Sequence, residues 1–409
     1  MSLSTELSGV QAAQTDIDTI GNNLANVNTT GFKGSVAQFA DLYGSAVQAT
    51  PGQGVYTAGL AQSFNEGTVS QTGNPLDVAI NGNGFFQLQS DQGVVYSRDG
   101  SFQLDNHGHL IDSAGNLVMG FPPPVAGGGS AAGSLQPITV SSASIAPSAT
   151  GKLTIDVNLP TTDAAINTTT TPFSTSNPAS YDESTTTSVY DSLGTNLSLT
   201  TYFTRVSGSG SPDHWQTHYA LNNPGGTLIA SGAGTTLTFS SSGQLTAGSG
   251  TITVATLPDG AAPLSIAQSF TGSSLSNLAF GVNEVTNNGS GGGQFTGVQI
   301  AANGAVTGQY SNGGTKVFGT IALANFTNPQ GLVPQTGNVW AASVASGQAT
   351  VGVPGTASLG QIESGALEGA NVDLSSQLVN LIVAQQAYQA NVQGINIDQQ
   401  NFQRLLTIQ

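Results

Sequence analysis

Apolar residues recur at helical spacing at both extreme ends of this chain and nowhere between about residue 70 and residue 360. At the N-terminal end the positions are Leu3, Leu7, Val10, Ala13, Ile17, Ile20, Leu24 and Val27. Steps of three and four alternate, close to a heptad. At the other end Leu374, Leu378, Leu381, Gln385, Tyr388, Val392, Ile395, Gln399, Phe402 and Leu406 repeat the pattern. This predicts one amphipathic helix at each end and a different architecture between them. Asn28-Thr29-Thr30-Gly31 supplies turn formers that stop the first helix before Gly31. Asp373 is placed to cap the second, which at ~1.5 Å per residue reaches roughly 50 Å. Gly9 and Gly21 interrupt the first at about 1 kcal/mol each relative to Ala.

The polar face of the second helix is built from amides, among them Gln377, Gln386, Gln389, Asn391 and Gln393, with Asp398 and Arg404 as its charged residues. A charged side chain packed against a neighbour costs several kcal/mol unless it is paired. An amide donates and accepts in water or in a packed interface. Such a helix suits burial among identical helices, the alternative being a hairpin with the other terminus of its own chain.

Charge is scarce throughout. Six basic and 22 acidic residues give a net charge of −16 over 409 residues. The basic residues, Lys33, Arg98, Lys152, Arg205, Lys316 and Arg404, are scattered. Without a clustered basic surface there is no phosphate-binding face, which excludes nucleic acid and an anionic membrane surface as partners. No apolar run approaches the ~20 residues of a membrane span, so no membrane insertion is expected. The absence of cysteine removes disulfides, Cys metal sites and thiol nucleophiles. Met1 to Glu6 has neither the basic nor the apolar region of a cleaved secretory signal.

Between the helices the chain reads as β structure, with strand-like alternation broken by Asn74-Pro75, Asn81-Gly82-Asn83-Gly84, Asn312-Gly313-Gly314 and Asn328-Pro329. Leu76 to Ile80 and Phe85 to Leu88 are expected to form a hairpin, continued as a meander by Val94–Arg98 and Ser101–Leu104. Pro122 to Ser134 reads as linker, and Asn287 to Gly293 as a second flexible seam. Two seams around a Ser/Thr-rich block imply a domain inserted into a domain. The expected organisation is a terminal helical domain (1–70 and 364–409), a discontinuous β domain (71–145 and 285–363) and an inserted outer β domain (146–284). The fold class is mainly β with α-helical termini, the β domains nested between them.

Side chains of catalytic type are sparse. Asp105, His107, His109 and Asp112 form the densest cluster of ligand-type residues, but Asn106 and Gly108 interleave them and point to a solvated turn. His214 and His218 lie in a strand-like stretch without the Glu of a zincin motif. No nucleophile elbow, phosphate loop or carboxylate pair is present. The chain is expected to have no catalytic residue, cofactor or metal, and not to be an enzyme.

Two long motifs then carry a resemblance. Gly21-Asn22-Asn23-Leu24-Ala25-Asn26-Val27-Asn28-Thr29-Thr30-Gly31-Phe32-Lys33 is similar to the N-terminal signature of the bacterial flagellar rod and hook protein family. Leu367-Glu368-Gly369-Ala370-Asn371-Val372-Asp373-Leu374 and Leu381 to Asn391 resemble its C-terminal signature. Gly73 to Phe86 fits as well. Gln38 to Tyr43, the inserted block with Ser188-Val189-Tyr190-Asp191-Ser192-Leu193-Gly194, and Leu323 to Leu332 resemble the hook branch. Gln377 stands where relatives often have Glu, and Gln386 where they often have Arg.

The resemblance implies a structural subunit that self-assembles into a curved hollow tube, a universal joint between rod and filament. It would be exported through the flagellar type III apparatus and located outside the cell. The implied partners are further copies of the chain, the distal rod protein, the hook–filament junction protein, the hook cap protein and the export apparatus. The terminal helices would pair as coiled coils lining the channel. The residues through which these helices would assemble with other subunits are Leu3, Leu7, Val10, Ile17, Ile20, Leu24, Val27, Leu374, Leu378, Leu381, Tyr388, Val392, Ile395, Phe402 and Leu406. The family-motif residues are Asn22, Asn23, Asn26, Asn28, Gly31, Phe32, Lys33, Asn371 and Asp373. Another axial protein (distal rod or hook-associated) is the alternative within the family. A secreted β-rich adhesin would share the Ser/Thr-rich block but has no need of matched terminal helices.

Overall fold

The computed structural model describes residues 3–42, 53–123, 134–206 and 214–406, with no side-chain description for Leu3, Leu405 and Leu406. Tyr43 and most of the expected linker after Pro123 lie outside these residues. Two helices, α1 (Leu3–Ala25) and α2 (Leu374–Leu406), stand at the ends, and the described residues between them are strands, turns and two short 3₁₀ segments. Val27 falls two residues beyond α1, in the turn that leads to Gly31, and is not part of the helix. At the start of α2, Asp373 accepts the Ser376 N–H at 2.8 Å, the bond an N-cap makes.

The chain divides into two compact units. The first comprises Met1–Ser142, Gly297–Gly308 and Thr315–Gln409, the second Ala143–Thr296 and Gln309–Gly314.

In the first unit, early strands are completed by late ones. Ser35–Asp41 and Val55–Gln62 form an antiparallel hairpin with a bulge at Gln38/Phe39. Val69–Gln71 pairs with Ala366–Glu368, and Val78–Asn81 with Gln361–Ser364. The expected hairpin of Leu76–Ile80 with Phe85–Leu88 is therefore not formed. Phe85–Ser90 pairs instead with Gly93–Ser97, Leu117–Phe121 and Leu323–Asn325. The first stretch buries Val78, Ala79 and Ile80 completely, so both of its faces must be covered, and the late strand supplies the edge. The expected meander also breaks after Ser97, since Gln103–Leu104 pairs with Leu110–Ile111. Beside this sheet Phe85, Tyr96, Phe326, Leu332 and Trp340 form an aromatic core. Phe85 meets Trp340 edge-on at 5.7 Å, and the indole N–H donates to Gln62 Oε1 at 2.8 Å.

The second unit packs two sheets face to face. One is an antiparallel run of Glu183–Tyr190, Asn196–Arg205, His214–Asn222, Leu228–Phe239 and Leu245–Ala247. The other is built around Lys152–Pro160, whose Leu153, Ile155, Val157 and Leu159 alternate inward against Leu199, Phe203, Trp215 and Phe239. The seam at 287–293 is not slack. Ser290 and Gly293 exchange backbone hydrogen bonds with Ser148 and Ile145, because a Gly-rich segment beside an open strand edge pairs with it.

Candidate assembly interface

The terminal helices pair with each other, antiparallel and in one constant register. Gly9 faces Asn391 and Glu6 faces Gly394, three residues on in each direction. Asn23 Nδ2, further along, donates to Gln377 Oε1 at 3.4 Å. Continued to Leu3, this register reaches Ile397, so Asp398 to Leu406 runs past the first residue of α1.

Where the two backbones come closest, a glycine on one helix faces a polar side chain on the other. A Cβ on Gly9 would stand 2.7 Å from Asn391 Oδ1, and one on Gly394 2.7 Å from Glu6 Oε1. Ala12, Ala13 and Ala384 are buried. Small side chains let two helix backbones approach. Ile20 is buried, and Val10, Ile17, Leu24, Leu381, Tyr388, Val392 and Ile395 are half-buried. Leu7, Leu374, Leu378 and Phe402 are exposed, as are Val379, Ile382, Val383 and Ile397, which the heptad reading passed over. Of the remaining expected assembly residues, Leu3 and Leu406 have no described side chain and Val27 lies beyond α1. The first turns of α2 thus expose an apolar run over residues 374–383, with Ile382 and Val383 more than half exposed (55% and 58%). Val36, Phe39, Tyr56 and Leu60 add exposed apolar surface on the paired strands Ser35–Asp41 and Val55–Gln62 beside α1.

The family-motif residues hold the two ends of the chain together where the helices meet the β sheets. Asn23, buried in the last turns of α1, bonds both backbone groups of Ser35 (2.9 and 2.7 Å). Asn371 accepts the Gly34 N–H at 2.8 Å and donates to the carbonyls of Ser63 and Asn65. The Phe32 carbonyl accepts the Asn371 N–H at 3.3 Å. Gly31 takes φ +66°, and a Cβ there would lie 2.5 Å from the Asp99 backbone nitrogen, so only glycine fits. Its own N–H donates to the Glu368 carbonyl at 2.7 Å. Asn22 and Asn26 serve locally: Asn26 Nδ2 donates to the Asn22 carbonyl and its Oδ1 accepts from Thr29. Asn28 is exposed.

At the centre of this junction Glu368 is fully buried between two cations. Its Oε1 lies 2.5 Å from Lys33 Nζ and its Oε2 3.1 Å from Arg98 Nη1. Lys33 also donates to the Asn65 carbonyl, and Arg98 to those of Ile80 and Gly82, while the Gly67 N–H donates to Glu368. Burial pushes the Lys33 ammonium below its usual range, opposed by the hydrogen bond and charge of Glu368. Arg98 is likewise pushed down by burial and held up chiefly by Glu368. Two of the six basic residues are thus committed to one glutamate. Arg98 escaped the sequence reading. Its one local sign is a cation two residues beyond the apolar run Val94-Val95-Tyr96.

Four family models match the chain: Flagella basal body rod protein over residues 3–33, Flagellar hook protein FlgE/F/G D1 domain over 79–169, Flagellar basal body protein FlaE D2 domain over 158–290, and Flagellar basal body rod FlgEFG protein C-terminal over 363–408. The flagellar hook protein FlgE of Salmonella typhimurium is 39% identical over 417 residues, covering 100% of both chains. The chain belongs to the flagellar hook protein FlgE family. The FlgE of Escherichia coli K12 is also 39% identical over the full length of both chains, and that of Brucella abortus 30% identical over 95% of this chain and 93% of its own. The crystal structure of Helicobacter pylori flagellar hook protein FlgE2 shares the fold, with a TM-score of 0.56 at 15% identity over 73% of this chain and 100% of that one. Membership of the FlgE family is membership of a family of structural hook proteins.

Proposed function

We propose that the chain polymerises through its terminal helices into the flagellar hook, a curved hollow tube that joins rod to filament and bends while it turns. The observation that carries this reading is the apolar run exposed in the first turns of α2, uncovered within one chain. Helices of further copies are its natural cover, and amides such as Gln386 and Gln389 beside it pack against copies without charge repulsion. The buried clamp at Lys33, Arg98 and Glu368 supports a rigid joint between helices and β sheets, through which torque passes. The partners proposed beyond other copies are the distal rod protein, the hook cap protein, the hook–filament junction protein and the flagellar export apparatus. The proposed location is outside the cell, reached by flagellar export. The role is structural, with no cofactor.

Ile382→Asp tests the reading in a strain lacking its own hook protein. The variant is expected to fold with wild-type circular dichroism and to form no hook. Immunogold microscopy with antibody against residues 146–284 reads the outcome. Hooks of normal length and label from the variant would remove α2's outer face from the assembly.

A further inference from the structure

We infer that the hairpin turn at residues 105–109 is a binding site for a divalent transition-metal ion, with Asp105, His107 and His109 as its ligands. Among the described residues this is where three side chains of ligand type bring their donor atoms within 4.8 Å of one another. The sequence alone argues against it, since Asn106 and Gly108 turn the backbone between the two histidines. The structure shows how that turn gathers the donors. Asp105 Oδ1 accepts the N–H groups of both His107 and His109 at 2.8 Å, which fixes the carboxylate across the mouth of the turn. Its second oxygen, Oδ2, then faces both rings, 3.0 Å from His109 Nδ1 and 3.8 Å from His107 Nδ1. The strands on either side, Gln103–Leu104 and Leu110–Ile111, are paired, so the turn is anchored at both ends.

The Asp105–His109 separation is that of two metal ligands. Nitrogen and oxygen donors at ~2.0–2.2 Å from an ion stand roughly 3–3.5 Å apart when they occupy neighbouring positions around it. The Asp105–His109 pair already has that bite, and His107, with its side chain 74% exposed, closes the remaining gap by rotating its ring. In place of the ion, Asp105 Oδ2 and His109 Nδ1 make a hydrogen bond. On binding, a neutral His109 carries its proton on Nε2 and presents Nδ1 to the ion. Two imidazoles and one carboxylate suit zinc, nickel or copper(II), not calcium or magnesium, which prefer all-oxygen sites. Three ligands on one side leave the outer positions to water.

Zinc titrated into the full-length chain against a competing chromophoric chelator at pH 7.5 tests the site. One zinc per chain is expected, weakened at least about tenfold by His107→Ala or by His109→Ala and lost in the double variant. Asp105→Asn, whose amide oxygen still accepts the two turn N–H groups, is expected to weaken it as well. His214→Ala, at an exposed histidine elsewhere, is expected to change nothing. Circular dichroism of each variant confirms that the fold is retained. Absence of zinc uptake by the wild-type chain overturns the proposal. So does undiminished uptake by His107→Ala/His109→Ala, or displacement of the zinc by millimolar calcium, which would mark a carboxylate site elsewhere.

Discussion

Lys33 and Glu368 are separated by 335 residues of sequence and by 2.5 Å between Nζ and Oε1, with both side chains closed off from water. A buried ion pair adds little net stability over a well-packed apolar pair, because removing both charges from water costs nearly what their attraction returns. What it provides is a unique fit, in which a shift in register leaves a charge buried without a partner. Here the fit fastens the segment after α1 to the segment before α2.

Glu368→Gln is expected to destabilise the chain by about 3–5 kcal/mol, since it leaves two buried cations facing a neutral amide. Lys33→Met is expected to cost less, because Arg98 still faces the carboxylate. Urea denaturation with the m-value held constant measures both, and equal, small losses would show that the clamp is not the joint described.

The two glycines of α1 should respond unequally to the same change. Gly21 has open space where a Cβ would go, so Gly21→Ala gains roughly 0.5–1 kcal/mol of helix propensity. Gly9→Ala pushes against the Asn391 amide and is expected to gain less or to lose. Thermal melts followed at a helical wavelength compare them, and identical gains would mean that the helices do not approach at Gly9.

His218 stacks on Phe173 at 4.1 Å with a 7° tilt, and burial pushes its imidazole below the ordinary 6.5. The unfolded chain therefore binds a proton that the folded chain refuses. The stability this represents is complete above about pH 6.5 and declines as pH falls from there toward the folded value. His218→Gln is expected to flatten that part of the pH–stability curve, read by denaturant midpoints between neutral and mildly acidic pH.

Phe85→Ala removes the ring that contacts Phe64, Phe326 and Trp340 together, at an expected cost of about 3–5 kcal/mol. Trp340 fluorescence follows the unfolding directly, and a loss below about 1 kcal/mol would show that the cluster closes over the gap.

Much of this was legible in the residues. Apolar spacing located both helices, and Asp373 announced the start of α2. Partners were less legible. Leu76–Ile80 and Phe85–Leu88 flank a turn sequence that satisfies every local rule for a hairpin, yet the strand that pairs with Val78–Asn81 lies at 361–364. Alternation states which face is buried and is silent on which strand lies alongside. The helix contact escaped for a related reason: spacing marks large apolar residues, whereas close approach selects Gly9 and Gly394. In the junction, Lys33 and Asn371 stood out through their motifs, but nothing near Arg98 in sequence pointed to Glu368.

The late strands also impose an order of events. A chain that emerges N-terminus first presents Val69–Gln71, Val78–Asn81 and Lys33 long before residues 361–368 arrive to meet them. The second unit, apart from its short segment at 309–314, is complete by residue 296, while the first stays open until almost the whole chain has appeared. Closure of the junction and the pairing of α1 with α2 then come last and together. A half-emerged chain consequently has no finished helix pair, and its junction closes only once its last strands have appeared.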